Sequence, residues 1–251
     1  MQLAEKLLYE LFETIPQKGP GDLESTVKAF NMVTDLPEEP EILDIGCGEG
    51  RQTFDLARIT HGQITAVDIF PGFIQKLQNK ADKNQYLARI RSVQGDMTDL
   101  QFAPDSFDLI WSEGSAYEMG FENALHKWRP LLKPNGSMVL SEIVFFKKNH
   151  PQEIADYWAN EIPDMKYFAD NFSIIEAAGY KLVAYFALPD EAWWTDYYTP
   201  VKQKIAEMRS NYQDIGEANE FFDAFEKEIK MHQLYSKYYG YGFYILKRIE
   251  A

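Results

Sequence analysis

Cysteine is almost missing from this 251-residue chain, which has one, Cys47. A single cysteine excludes an internal disulfide framework and a cysteine-rich zinc site. Histidine is scarce as well. His61, His126, His150 and His232 lie far apart, and no pair has metal-ligand spacing, so no metal is expected. No apolar run reaches the roughly 18 residues a membrane span needs. The opening MQLAEKLLYELFET lacks both a cationic start and a long apolar core, which argues against a signal peptide. A cytoplasmic location is the resulting expectation. Positive charge is also short: 25 Lys and Arg stand against 39 Asp and Glu, a net −14. Such a chain repels phosphate backbones and anionic bilayers, so neither nucleic acid nor membrane is an expected partner.

What the chain does have is 45% apolar residues and an alternation of two hydrophobic periods. Leu3, Leu7, Leu8, Leu11 and Phe12 recur at helical spacing, and a second helix is expected over Ser25–Val33. Short apolar strands follow at Glu41–Ile45, Gln63–Ile69, Ile90–Gln94, Phe107–Ser112 and Ser137–Phe146, separated by helical patterns, with Lys133–Gly136 expected as a turn. Strands alternating with helices imply a parallel sheet covered on both faces. Two more strands are expected at Tyr180–Leu188 and Gly242–Ile249, with some fifty mostly helical residues between them. The whole chain therefore reads as one domain: a helical N-terminal cap (1–40), a core (41–188), a helical insertion (189–239) and a last strand (240–251).

The segment Glu41-Ile-Leu-Asp-Ile-Gly-Cys-Gly-Glu-Gly50 runs from a buried strand into Gly46, Gly48 and Gly50, after which a helix begins. Glycines there permit a tight turn and close approach of a ligand to the backbone. A dinucleotide fingerprint would need a third glycine at position 51, where this chain has Arg51. Asp44, two residues before the first glycine, suits a ligand that is cationic at this end. Asp68 ends the second strand, and 68 − 44 = 24 residues is the spacing at which an acid accepts from ribose hydroxyls. The third strand ends at Gly95-Asp96-Met97, where a carboxylate can accept from an adenine amino group while Met97 packs on the ring. Three acids at successive strand tips point to the carboxyl edge, where open α/β sheets bind ligands.

Leu43-Asp-Ile-Gly-Cys-Gly-Glu-Gly50, Ala66-Val-Asp-Ile69, Gln94-Gly-Asp-Met97, Phe107-Asp-Leu-Ile110 and Leu132-Lys-Pro-Asn-Gly136 resemble the successive motifs of class I S-adenosylmethionine-dependent methyltransferases. Gly19-Pro-Gly21 with Thr26, Asp68-Ile-Phe-Pro71 and Trp111-Ser-Glu-Gly-Ser-Ala-Tyr117 resemble a small-molecule branch of the type 11/25 kind. The resemblance implies an α/β, Rossmann-like seven-stranded sheet, mostly parallel, with helices on both faces and an antiparallel last strand. It implies S-adenosyl-L-methionine as cofactor and S-adenosyl-L-homocysteine as product. By position, Asp44, Gly46, Cys47 and Gly48 would border the methionine part. Asp68 and Ile69 would border the ribose, and Gly95, Asp96 and Met97 the adenine. Ser112 and Glu113 would line the floor near the sulfonium.

Glu113, Tyr117 and Glu142 are the candidates for a base, which is needed only if the nucleophile must lose a proton. Trp193, Trp194 and Tyr197 follow the sixth strand directly and are expected to face the acceptor pocket, with the insertion as a lid. The competing expectation is that Phe222, Phe225 and Ile229 bury a homodimer contact. Two other functions compete with methyl transfer to a small molecule. One is an NAD-dependent oxidoreductase, disfavoured by Arg51 and by the lack of a Tyr-x-x-x-Lys pair near the fifth strand. The other is a non-catalytic protein that binds S-adenosylmethionine.

Overall fold

The computed structural model describes residues 3–83, 86–163 and 165–249. Met1 and Gln2, at the start of the expected first helix, lie outside them. Seven strands, β1 (Glu41–Ile45), β2 (Gln63–Asp68), β3 (Ile90–Gln94), β4 (Phe107–Glu113), β5 (Leu132–Phe145), β6 (Tyr180–Ala187) and β7 (Tyr239–Arg248), form one sheet in the order β3-β2-β1-β4-β5-β7-β6. β1 pairs in parallel with β2 and β4, and β7 runs antiparallel to both β5 and β6. The chain lays β2 and β3 on one side of β1, then returns to place β4 on the other. A cleft opens at such a reversal, beyond the carboxyl ends of the strands.

Ile42–Ile45 and Ser137–Phe145 are buried without alternation, because both faces of the sheet are covered. On one face Ile42, Trp111, Val139 and Phe243 share a core with α1 (Leu3–Phe12), α2 (Leu23–Asn31), α3 (Arg51–Ile59) and α4 (Pro71–Lys83). On the other, Leu43, Ile110, Leu140 and Tyr244 pack with α5 (Phe121–Trp128). The expected turn at Lys133–Gly136 is instead a bulge within β5. Phe107 pairs with Leu132 and Leu109 with Ser137, so the extra residues loop out, with Asn135 at φ +59°. Two helices escaped the periodicity reading, α6 (Gln152–Glu161) and α7 (Asp170–Ala177). The last strand begins three residues before its expected start.

The insertion comprises α8 (Glu191–Trp193), a wide helical turn (Trp194–Tyr198), α9 (Thr199–Asn211) and α10 (Gly216–Tyr235). It packs against the N-terminal cap. Phe12 stacks on Tyr197 with ring centroids 6.4 Å apart and meets Phe225 edge-on at 6.0 Å. The Tyr212 hydroxyl donates to Glu10 at 2.7 Å. Of the side chains expected to form a homodimer face, Phe222 is 0% and Ile229 3% exposed within the single chain, and Phe225 is half-buried against Phe12. Phe222 and Ile229 are therefore packed inside their own chain.

Candidate active site

The glycine turn after β1 holds Gly46, Gly48 and Gly50 at φ +73°, +54° and +89°, the left-handed region that side chains resist. A Cβ on Gly46 would lie 2.3 Å from Ser115 Oγ, whereas one on Gly48 would meet nothing within 4 Å. The turn is thus packed tightly from behind and open in front.

Two adjoining cavities lie in front of it. The larger, about 550 Å³, is bordered by Asp68, Ile69 and Phe70 from the tip of β2, by Gly95, Asp96 and Met97 from that of β3, and by Tyr117 and Met119 beyond β4. The smaller, about 240 Å³, is bordered by Cys47, Arg51, Glu113 and Tyr241, and roofed by the cap loop Pro16–Pro20. Lys18, Gly46, Gly48, Gly114 and Ser115 border both, so the two form one cleft across the chain reversal between β1 and β4.

Asp68 Oδ2 accepts from the Gly48 N–H and Oδ1 from the Phe70 N–H, each at 2.9 Å, which fixes the carboxylate at the cavity wall. Burial pushes its pKa up while these backbone donors oppose the rise. Asp96 is held by the N–H and hydroxyl of Thr98 at 2.8 and 2.7 Å. Ile69 and Phe70 are each 53% exposed beside the larger cavity, an apolar surface left uncovered by the chain itself.

Asp44 departs from its expected place. Its carboxylate is 2% exposed, accepts from the Thr53 hydroxyl at 2.5 Å, and borders neither cavity. Burial pushes it up to about 7, with Asp68 adding to the rise and Thr53 opposing it. Ser112 is likewise buried behind the cleft, where its hydroxyl lies 2.9 Å from that of Ser115. Cys47 borders the smaller cavity as a buried thiol, which burial and then Asp44 and Asp68 keep protonated.

Glu113, at the tip of β4, does line the cleft. Oε1 accepts from the Trp111 indole at 2.8 Å and from the Thr26 hydroxyl at 3.0 Å. Burial raises its carboxyl to about 7, two hydrogen bonds pull it down, and Asp44 and Asp55 add to the rise. Glu142 is 5% exposed, borders neither cavity, and carries an Oε2 with no partner among the described residues.

The expected lid side chains are also displaced. Trp193, Trp194 and Tyr197 border neither cavity. Trp193 is 3% exposed and stacks on His232 at 4.1 Å and on Tyr241 at 5.3 Å. Tyr241, on β7, borders the smaller cavity instead, one layer in front of Trp193. The roof is the cap loop, which the insertion supports from the side: the Gly21 N–H donates to the Ala192 carbonyl at 3.2 Å, and Arg51 joins Gln17 to Asp196. Gly240-Tyr241-Gly242 was the signal for Tyr241, because flanking glycines clear room for rings. Phe146 and Phe168 occupy that room, close to where Cβ atoms on Gly240 and Gly242 would stand. The roof residues Gln17 and Lys18 carried no signal.

Among the described residues no group of three or more His, Cys, Asp or Glu could hold a metal, and no helix is long and apolar enough to cross a membrane.

Residues 42–136 match the model of a family described as methyltransferase domain. An uncharacterized methyltransferase of Bacillus subtilis, YodH, is 23% identical over 228 residues, 90% of this chain and 91% of that protein. A sterol 24-C-methyltransferase of Neurospora crassa, erg-4, is 21% identical over 70% of this chain, which spans only 48% of its length. The chain spans about half the length of several curated relatives that it matches. Among solved structures, a methyltransferase of Geobacter sulfurreducens bound to S-adenosyl-L-homocysteine superposes with a TM-score of 0.80 at 17% identity, over 96% of this chain and 97% of that one.

Proposed function

We propose that the chain is a class I S-adenosylmethionine-dependent methyltransferase, in line with its matching methyltransferase domain and its methyltransferase relative, and that it moves the cofactor's methyl group to a small-molecule acceptor inside the roofed cleft. The single observation that carries this reading is the continuity of the two cavities across Gly46, Gly48, Gly114 and Ser115.

The residues present fit the cofactor. Space for a ligand lies over Gly48, where a side chain would meet nothing. The exposed Ile69 and Phe70 with Met97 form an apolar wall for adenine, and Asp68 is fixed where ribose hydroxyls can donate to its remaining lone pairs. Asp96 stands beside Met97 to accept from the adenine amino group. Cys47, Gly48 and Glu113 border the methionine end. When bound, S-adenosylmethionine supplies a methyl on a sulfonium, open to in-line displacement.

The protein's part is positioning, which can supply roughly 7–11 kcal/mol. Gly114 and Ser115 border the junction of the two cavities, and the reacting methyl belongs there. Tyr117 borders the larger cavity and Tyr241 the smaller, and the Tyr241 hydroxyl lies 3.4 Å from where a Cβ on Gly114 would stand, a position from which it can orient the acceptor. Glu142 borders neither cavity. The loop Pro16–Pro20 keeps water out. A small closed site in a chain of net charge −14 disfavours nucleic acid as acceptor.

Calorimetric titration tests the cofactor half: S-adenosylhomocysteine should bind and NAD should not, and NAD binding more tightly would overturn it. Release of S-adenosylhomocysteine in the presence of small amines, alcohols and phenols, measured against transfer RNA, tests the acceptor half. Turnover with the RNA alone would overturn that.

A further inference from the structure

We propose that Glu113 receives the α-ammonium of the cofactor's methionine end, the part that the sequence assigns to Asp44. This rests on the reading of the cleft as the S-adenosylmethionine site.

A buried carboxylate must have a counter-charge or a proton, because taking an unpaired charge out of water is costly. Two acids border the smaller cavity, Glu49 and Glu113. Glu49 is surrounded by three ammonium groups: Lys76 at 2.9 Å, Lys80 at 3.1 Å and Lys18 at 3.2 Å. The guanidinium groups at the same cavity belong to other acids. Arg51 pairs with Asp55 at 3.0 Å and with Asp196 at 3.3 Å, and Arg58 with Asp55 at 2.7 Å. Among the described residues Glu113 forms no ion pair. Its two bonded donors, Trp111 and Thr26, both go to Oε1. Oε2 sits beside the cap, 3.6 Å from where a Cβ on Gly21 would stand. The protein thus holds this carboxylate rigidly at the methionine end of the cleft, provides no cation for it, and leaves one oxygen unengaged. A cation that arrives with the ligand can take the place of the proton that burial otherwise favours there.

Asp44 cannot take the role, because Thr53 holds it beneath the glycine turn and it borders neither cavity. Burial raises both acids similarly, so their position relative to the cleft separates them.

The test compares S-adenosylhomocysteine with 5′-methylthioadenosine, which keeps the adenosine and the thioether but lacks the amino-acid part. In calorimetry Glu113→Gln should bind S-adenosylhomocysteine at least tenfold more weakly and methylthioadenosine within twofold of the parent. Gln keeps a carbonyl oxygen for Trp111 and Thr26. Equal losses for both ligands, or no loss for S-adenosylhomocysteine, would overturn the assignment. A ligand-side arm needs no variant: S-adenosylhomocysteine lacking its α-amino group should bind the parent protein at least tenfold more weakly, and equal affinity would refute the proposal. If the parent protein bound no S-adenosylhomocysteine at all, the cofactor reading would fall and this assignment with it.

Discussion

The Thr26 hydroxyl stands 3.0 Å from Oε1 of Glu113, so a helix of the N-terminal cap is bonded to the tip of the fourth strand across 87 residues of sequence. Thr26 is buried, at 1% exposure, and Glu113 is half-buried at the cleft. Thr26→Val keeps the shape and removes the donor. It should destabilise the protein by about 0.5–1.5 kcal/mol, the net worth of one hydrogen bond, because Oε1 keeps the Trp111 indole as a donor. Urea denaturation measures this, and an unchanged midpoint would mean that the contact contributes nothing.

Gly48→Ala separates folding from binding. Its Cβ meets no protein atom within 4 Å, so the cost to the free protein is the left-handed backbone alone, about 1–2 kcal/mol. The same methyl would stand in the cleft, and S-adenosylhomocysteine affinity should fall at least tenfold. Gly46→Ala should be far worse for folding, because its Cβ would collide with Ser115. Thermal melts and calorimetry on the two variants give both readings.

Stability should fall as pH rises through neutrality. Burial pushes Glu142 from its ordinary 4.5 up to about 8, with Oε2 lacking a partner among the described residues. A carboxyl whose pKa is raised on folding keeps its proton in the native state after the unfolded chain has lost it. Its contribution is therefore intact below about pH 4.5 and disappears as pH climbs through about 8. Burial acts the same way on Asp44, Glu113 and Glu228, each raised to about 7. Denaturation midpoints between pH 5 and 9 should decline, and Glu142→Gln should flatten the upper part of that decline. Parallel curves would show that Glu142 finds a partner in solution.

Phe222→Ala tests where the insertion's apolar face goes. With Phe222 fully buried in its own chain, truncation should cost about 3–5 kcal/mol. The sedimenting mass should be the same for parent and variant. A change of mass with little loss of stability would restore the homodimer face.

The strands and the glycine turn were legible because their signals are local. A buried apolar run such as Glu41–Ile45, three glycines forced to positive φ, and acids one residue from a strand end each report on their immediate backbone. The seven-stranded sheet and its antiparallel last strand needed no more than the alternation and the resemblance, and the tips of β2 and β3 bring Asp68, Ile69, Gly95, Asp96 and Met97 along one cavity wall. α6 and α7 were missed although α6 buries Ile154, Tyr157 and Trp158 at helical spacing, because so short a stripe stands out little from its surroundings. Lys133–Gly136 has turn composition yet is absorbed into a strand as a bulge.

What only the tertiary structure decided is the direction of side chains and the partner of each charge. Asp44 and Glu113 are both acids at strand ends in the sequence. Thr53, nine residues after Asp44, draws one beneath the turn, while Thr26 and Trp111 hold the other at the cleft. Trp193 follows the sixth strand as a pocket residue should, yet Tyr241 stands in front of it, because β7 returns between β5 and β6 and brings its own ring to the opening. The roof came from the opposite end of the chain from the insertion. Contacts such as Thr26 with Glu113 and Trp193 with Tyr241 join residues far apart in the chain, and no local spacing encodes which of two similar side chains the fold will bring to the ligand.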